Sequence, residues 1–494
     1  MKGKAGFVQI LLDPNGYQMS FSKKSFGRKF YYCKFKDELG CTARLSVEEQ
    51  SGMIVRWVPD HCHDNDLGKQ MANKMVAEEV RVSAQNPLIN PRTAHQKLTT
   101  TMKSDKKLAN AVPYIPDLTS LAKKIQYERR KSFKLPPVPL DCYVELPAEF
   151  KITSDGLDFL IGDNEVPGRS VGKVLSFCSP TGRSLLANAD EIFGDGTFEI
   201  TSCTKFSQLW IACVRVKGIT LPCFYSFLPT KESVCYRVMF NHLKLAIGDT
   251  IPLVFHVDFE LAVMNSVQEA FPETRLQGCL VHFKRSLRRK ISQLQLASCV
   301  DKDLVVQEWF RKVWALQLVA PLDAIYVWDN FIKTTVPYEE DEDIIAEDPV
   351  RVDNFNAALD QFVAYMESTW LGTPRPQDER RKPRYAIDHW SINMSVLEGT
   401  EYSTNCSESY NSVSKLSVVS KPSFWQVIIQ LKAEEASARA KLMAIRTGNW
   451  KDKNPARTAR RKLKKAALKS LVEDYYTMNP EEFLKAAVVF YNEF

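Results

Sequence analysis

Two apolar segments, each carrying one aspartate, decide the fold of this chain: IFGDGTFEI at residues 192–200 and PLVFHVDF at residues 252–259. Two further apolar runs, residues 208–216 and 221–228, lie between them, followed by a helical pattern over residues 232–247. Strands followed by a crossover helix and another strand form a mixed α/β sheet with its ligand site at the strand ends. The pattern predicts such a sheet here.

Asp195 and Asp258 are the aspartates of these two segments. An uncompensated carboxylate is costly to bury, and two neighbouring carboxylates repel unless a divalent cation neutralises them. Carboxylates that hold a metal pair also carry out in-line displacement at phosphorus. The alternative is that Asp195 opens an Asp-Gly turn and Asp258 caps a helix starting near Glu260. The pattern alone leaves both interpretations open.

The sequence motifs around and beyond the two acids resemble those of Mutator-like (MULE) transposases. The shared motifs, in chain order, are DGTF at 195–198, FSQLW at 206–210, LPCFY at 221–225, LPTK at 228–231, CLVH at 279–282 and TNCSESYN at 404–411. The resemblance covers residues 190–432 and implies a ribonuclease-H-like core with a helical insertion before the third acid. It also implies that Asp195, Asp258 and Glu408 bind two Mg²⁺ or Mn²⁺ ions, with Glu398 and Glu401 as alternatives to Glu408.

The Cys-x-x-His segment ends in His282, which lies beside the active centre in the transposases that this chain resembles. The resemblance implies that His282 contacts the scissile strand or acts as a general acid or base. A basic segment follows it directly, and it is expected to be a helix that contacts the DNA backbone. A solvated helix and a nuclear-import signal are its alternatives. The predicted DNA-contacting residues are Lys284, Arg285, Arg288, Arg289 and Lys290.

Length and composition are those of a soluble intracellular protein. At 494 residues the chain has room for two to four domains, and its net charge of +7 is modest, so polyanion binding requires local patches. No apolar run reaches membrane-spanning length, which predicts no membrane partner. The 12 cysteines are scattered, as expected of reduced thiols in the cytosol or nucleus.

Residues 1–72 are aromatic and strand-like, and they contain Cys33, Cys41, His61 and His63. Such a Cys2His2 set forms a closed tetrahedral zinc site, and structural zinc stabilises sheets too small to fold alone. Unrelated thiols and imidazoles are the alternative, and Cys62 is a further candidate ligand. The arrangement resembles a FLYWCH-type zinc finger, a small β module that binds DNA or protein.

The remaining segments complete a six-part organisation. We expect a helical linker with possible DNA-binding character at 73–143, the first part of the catalytic core at 144–295, a helical insertion at 296–390, the end of the core at 391–440, and a basic helical tail at 441–494.

The resemblance and the acids together predict a DNA transposase that cleaves and joins strands with Mg²⁺ or Mn²⁺ and carries structural Zn²⁺. Its expected partners are transposon-end DNA, target DNA and further copies of itself, and its expected location is the nucleus. The first alternative is a domesticated descendant that regulates transcription by binding DNA without cleavage. The second is a zinc-stabilised protein-interaction module with the α/β domain as scaffold.

Overall fold

A computed structural model of the chain describes residues 10–63, 67–85, 89–132, 135–168, 170–197, 205–376, 379–402, 422–451 and 454–491. The chain divides into two compact units. The first comprises Met1–Pro136, and the second comprises Pro137–Leu416 together with Ser420–Phe494. Each unit is described by itself. No helix in the described ranges has the length and apolar character to cross a membrane.

An antiparallel five-stranded sheet begins the first unit. Its strands follow one another in chain order: β1 (Ile10–Leu12), β2 (Gln18–Ser25), β3 (Arg28–Cys33), β4 (Arg44–Glu48) and β5 (Ile54–Val58). A single helical turn, α1 (Lys36–Leu39), joins β3 to β4. The apolar cluster is small and includes Met19, Tyr31 and Leu45 together with the thiols of Cys33 and Cys41. So small a core is typical of domains that need a metal for stability.

Three α-helices and a 3-10 helix (Lys106–Tyr114) complete the described part of the first unit; the α-helices are α2 (Leu67–Gln85), α3 (Pro91–Ser104) and α4 (Leu118–Ser132). The Asp117 carboxylate accepts a bond from the backbone N–H of Ser120, as expected of the cap of α4. Arg129 is buried, and its guanidinium donates to the carbonyl oxygens of Ser83 and Ile89. These bonds tie α4 to the end of α2 and to the turn before α3.

A mixed seven-stranded sheet forms the centre of the second unit. Its order is β12-β11-β8-β9-β10-β7-β6. Strands β8, β9 and β10 form an antiparallel meander, whereas β11 runs parallel to both β8 and β12. The strands are β6 (Leu160–Glu165), β7 (Lys173–Phe177), β8 (Glu191–Thr197), β9 (Gln208–Val216), β10 (Ile219–Leu228), β11 (Val254–Val257) and β12 (Arg275–Gly278).

Helices connect and cover this sheet. The crossover from β10 to the parallel strand β11 is made by α6, as the sequence predicts. The helices of this part are α5 (Pro180–Leu186), α6 (Ser233–Ile247), α7 (Leu261–Ala270) and α8 (Leu280–Gln293). Helix α8, which contains the basic segment, starts directly after β12 at the edge of the sheet.

The glycines beside Asp195 fit the interior of the sheet and not a turn. Asp195 lies within β8 and pairs with Ile211 of β9, so the Asp-Gly-turn interpretation is wrong. A Cβ at Gly194 would lie 2.2 Å from Cζ2 of the buried Trp210 ring. A Cβ at Gly196 would lie 1.6 Å from Nε2 of Gln208. The two glycines therefore let β9 side chains cover one face of β8 while Asp195 points to the other.

The helical insertion packs against the chain on both sides of the sheet's carboxyl edge. The Trp370 ring lies 5.0 Å from Phe259, which follows Asp258, and 4.6 Å from Phe283, which follows His282. Its helices are α9 (Ala297–Lys302), α10 (Leu304–Ala315), α11 (Ala324–Val327), α12 (Glu342–Glu347), α13 (Pro349–Met366) and α14 (Ile387–Trp390), and α15 (Asn393–Glu398) follows the insertion. The C-terminal helices are α16 (Phe424–Arg446), α17 (Pro455–Glu473) and α18 (Pro480–Val488).

Candidate functional site

Asp195 and Asp258 come from neighbouring parallel strands. His256 is the partner of Phe193 in the β8–β11 register, and the two rings stack at 4.4 Å. Continuing that register by two residues brings Asp258 alongside Asp195, and alternation gives both side chains the face that carries the stacked rings. Asp195 is buried, whereas Asp258 is half-buried. The register thus aligns these two residues on neighbouring strands at the carboxyl edge of the sheet.

Asp258 does not cap the following helix. The N-cap position of α7 is Glu260, and the Asp258 carboxylate is directed to His282, whose Nδ1 lies 2.8 Å from Asp258 Oδ1. The helix-cap interpretation of Asp258 is therefore wrong. Burial alone would lower the pKa of His282, but hydrogen bonds to Asp258 and Cys279 and their negative charges raise it to about 10. In the absence of metal, the His282 imidazole is thus a cation paired with Asp258.

Glu408, the third acid expected from the resemblance, lies outside the described residues. The described chain ends nearby at Tyr402, whose carbonyl oxygen accepts a bond of 3.1 Å from the backbone N–H of Leu280. Leu280 is the first residue of α8, two positions before His282. The segment that carries Glu408 therefore begins after Tyr402, beside the start of α8.

Glu398 and Glu401, the alternative third acids, are each engaged in ion pairs. Glu398 Oε2 lies 2.6 Å from Arg275, which begins β12. Buried Glu401 contacts Arg215, Arg461 and Lys465, and its backbone N–H donates to Glu191, the first residue of β8. Burial alone would raise the pKa of Glu401, but the Lys465 bond and the nearby cations lower it. Both glutamates are therefore structural ion-pair partners.

Helix α8 carries the predicted DNA-contacting cations. Arg285, Arg288 and Arg289 are exposed, whereas Lys284 and Lys290 are half-buried. Burial, assisted by the charge of Arg288, lowers the pKa of Lys284 to about 7. The insertion flanks the helix, because Arg288 Cζ lies 5.7 Å from the Trp314 ring centroid and Lys290 Nζ lies 5.6 Å from that of Tyr365. The exposed arginines are the members of the set best placed for phosphate contact.

The four expected zinc ligands converge in the first unit. One ligand atom from each of Cys33, Cys41, His61 and His63 lies within 4.8 Å of the others. Cys33 Sγ is 3.0 Å from His63 Nε2, and Cys41 Sγ is 3.5 Å from His61 Nδ1. Two thiols and two imidazoles in this arrangement fit a tetrahedral zinc ion. Cys62 is exposed, and its thiol interacts with Cys41 and is also directed to the Leu39 carbonyl oxygen.

The cysteines of this cluster differ in acidity. Burial raises the pKa of Cys33 to about 11. Burial also opposes ionisation of Cys41, but hydrogen bonds from the backbone of Ala43 and Cys62 outweigh it and lower the Cys41 pKa to about 6. Cys41 therefore offers a thiolate at neutral pH, whereas Cys33 must lose its proton when metal binds.

Asp13 supports the zinc cluster, and the sequence analysis did not identify it. Its buried Oδ2 lies 3.0 Å from Nε2 of His61 and 3.3 Å from the indole Nε1 of Trp57. Its Oδ1 accepts bonds from the backbone N–H groups of Asn15 and Tyr17. A carboxylate on the outer nitrogen of a ligating histidine fixes the tautomer and the ring orientation. The signal in the sequence that could have identified Asp13 was an acidic residue within the aromatic N-terminal segment.

Two kinds of site thus define the chain as a protein that joins a Cys2His2 zinc module to a mixed α/β domain with paired acids. Family models identify both parts: the FLYWCH zinc finger domain matches residues 9–63, and the MULE transposase domain matches residues 192–286. The second match includes Asp195, Asp258 and His282 and ends before Glu408. No curated protein matches the chain. The resemblance to Mutator-like transposases is confirmed, and it indicates a transposase-related function with structural zinc.

Proposed function

We propose that the protein is a DNA transposase that cleaves and joins strands with divalent metal ions held by Asp195, Asp258 and Glu408. The observation that carries the proposal is the alignment of Asp195 and Asp258 on neighbouring parallel strands within the MULE domain. The mixed sheet, with a helical insertion before the segment of Glu408, supports a ribonuclease-H-like core of the kind that the resemblance implies.

The residues present fit a divalent cation. Two carboxylates on one face of a sheet repel each other, and a cation between them removes that repulsion. When bound, a metal pair supplies activation of a water or 3′-hydroxyl and stabilises the leaving oxygen. Asp195 and Asp258 would hold the ions, and backbone pairing and the insertion's aromatic rings keep their strands in place. Asp258 also orients His282 at the rim of the site.

Chain length supports Glu408 as the third acid. Glu408 follows Tyr402 by six residues, and an extended segment of that length spans up to ~20 Å. Tyr402 is bonded to Leu280 at the start of α8, beside Cys279 and His282. Glu408 can therefore reach the carboxyl edge of the sheet, whereas the carboxylates of Glu398 and Glu401 are occupied by their own ion pairs.

DNA is the partner that this site requires. The exposed arginines of α8 follow His282 within two turns of the helix, so phosphates bound there would lie close to the paired acids. The zinc finger is a second candidate DNA contact, in keeping with its family. Self-association and a nuclear location remain predictions of this proposal.

Substitution of the three acids tests the proposal. We expect Asp195→Asn, Asp258→Asn and Glu408→Gln each to abolish Mg²⁺- or Mn²⁺-dependent nicking of DNA carrying the flanking repeats of the gene, with DNA affinity retained. Asp190→Asn is a matched control, because Asp190 is exposed and directly precedes β8. Full nicking activity in Glu408→Gln would show that Glu408 is not one of the catalytic acids. A wild-type protein that binds this DNA without nicking it in either ion would overturn the proposal and leave a DNA-binding regulator.

A further inference from the structure

A second cluster of metal-ligating atoms exists in the described residues besides the zinc module. It consists of Asp258, Cys279 and His282, and one ligand atom from each lies within 4.8 Å of the other two. Cys279 is buried, and the other two side chains are half-buried. The sequence shows Cys279 and His282 only as half of a zinc site, because the third member comes from a different strand.

Backbone structure fixes this cluster. Val257 and Gly278 are partners in the parallel β11–β12 register, so the next residue pair brings Asp258 beside Cys279. The Cys279 N–H donates to the Val257 carbonyl oxygen at 2.9 Å, which holds this alignment beyond the last residues of the strands. Cys279 is also the N-cap residue of α8, and His282 follows it by three positions, on the same side of the helix.

The chemistry of the three groups differs from that of a magnesium site. Mg²⁺ takes oxygen ligands in octahedral geometry, whereas thiolate and imidazole select Zn²⁺ and its substitutes. Three protein ligands with an open fourth position are typical of catalytic zinc sites. The β8–β11 register, continued by two residues, aligns Asp195 with Asp258 of this cluster.

We propose that Asp258, Cys279 and His282 bind a thiophilic divalent ion, of which Zn²⁺ is the natural representative. The proposal rests on the proposed function only in that this ion would share Asp258 with the catalytic acids.

The observed distances suit a shared metal ion. Asp258 Oδ1 and His282 Nδ1 lie 2.8 Å apart. Two ligands at ~2.0 Å from a tetrahedral Zn²⁺ lie roughly 3.3 Å from each other. The two atoms therefore need to separate by only about 0.5 Å to bind one ion.

Metal stoichiometry of the full-length chain provides the test. We expect the wild-type protein, loaded with Zn²⁺ or Co²⁺ and freed of excess ion, to retain two equivalents, one in the zinc module and one in this cluster. Cys279→Ser and His282→Gln should each retain one. Cys299→Ser is the matched control, since Cys299 is a half-exposed residue of α9 outside both clusters, and it should retain two.

The Co²⁺ spectrum assigns the lost equivalent. Thiolate-to-cobalt charge transfer should arise from the two cysteines of the module and from Cys279, so Cys279→Ser should remove about a third of its intensity. Two results would overturn the proposal: a single equivalent in the wild type, or two equivalents retained by both Cys279→Ser and His282→Gln. Should Cys279→Ser misfold, His282→Gln gives the decision alone.

The outcome is distinguishable from that of the proposed function. If the wild type retains two metal equivalents and nicking is unchanged in Asp195→Asn, the metal site is supported and the transposase chemistry is contradicted. If the wild type retains one equivalent and nicking depends on Asp195 and Glu408, the chemistry is supported and this metal site is contradicted.

Discussion

Nε2 of His61 lies 3.0 Å from Oδ2 of Asp13, while Nδ1 of the same ring faces the Cys41 thiol at 3.5 Å. Both side chains are almost fully buried. The carboxylate accepts the Nε2 proton, so Nδ1 carries the free lone pair that a metal requires. The Tyr17 ring stacks on His61 at 3.6 Å and further restricts its rotation.

Replacement of Asp13 should therefore weaken zinc binding without removing a ligand. We expect Asp13→Asn to lower the zinc affinity of the full-length protein by about 10- to 100-fold, the range typical of lost partners of ligating histidines. Competition with a chromogenic chelator measures the change. Asp60→Asn is the matched control, because Asp60 is exposed and directly precedes His61. Equal zinc affinity in Asp13→Asn and Asp60→Asn would contradict this role for Asp13.

Glu401 joins three distant parts of the second unit. Its carboxylate binds Arg215 of β9 and both Arg461 and Lys465 of α17, so it ties the basic C-terminal helix to the sheet. Glu401→Gln leaves these cations without their shared anion, and partial exposure of the partners reduces the cost to about 2 kcal/mol. We expect the Tm of this unit to fall by about 3 °C. Glu398→Gln, which breaks a more exposed pair with Arg275, should change the Tm by less than 1 °C, roughly the value of a surface ion pair.

The contribution of Glu401 should depend on pH in a defined direction. Its pKa is lower in the folded protein than the ordinary glutamate value, so folding favours the charged form. That contribution is fully present above the unfolded pKa of about 4.3 and is lost as the pH falls through the folded pKa. Urea unfolding of wild type and Glu401→Gln should therefore differ at pH 7 and converge as the pH falls below the folded pKa. A difference that persists at the lowest pH would show that packing, and not charge, explains the Glu401 effect.

The elements around the acids could be predicted because they depend on local patterns. The predicted strand at 208–216 is β9 (Gln208–Val216), and the predicted helix at 232–247 is α6 (Ser233–Ile247). The four zinc ligands were also predictable, since soft ligands in a short span have few other uses. In such segments periodicity and residue chemistry point to one structure.

What the sequence could not provide are the contacts between residues far apart in the chain. Glu401 appeared as a possible third acid, but its actual partner Arg215 lies on a strand nearly two hundred positions earlier. Cys279 and His282 appeared as half of a metal site, because the register that adds Asp258 follows from parallel pairing. Asp13 was missed for the same reason, since Asp13 follows the first strand of the sheet and its partner His61 follows the last. Local pattern gives no information on register between distant strands.

The exposed arginines of α8 provide the last prediction, which concerns DNA. Arg285 and Arg289 lie one helical turn apart and are exposed, whereas Arg288 lies near the Trp314 ring. Replacing Arg285 and Arg289 together by alanine should reduce affinity to a similar extent for all DNA sequences, because phosphate contacts carry no sequence information. The slope of log affinity against log salt should become shallower by about 2, one unit for each lost phosphate contact. Fluorescence anisotropy with duplexes of several sequences over 50–200 mM salt, a range in which ~6–10 phosphate contacts change affinity strongly, measures both quantities.

The matched control is Arg311→Ala together with Lys312→Ala on α10, which removes the same charge from the insertion and should alter the slope little. An unchanged slope in the Arg285 and Arg289 variant, or an equal change in the control, would show that α8 does not contact the DNA backbone.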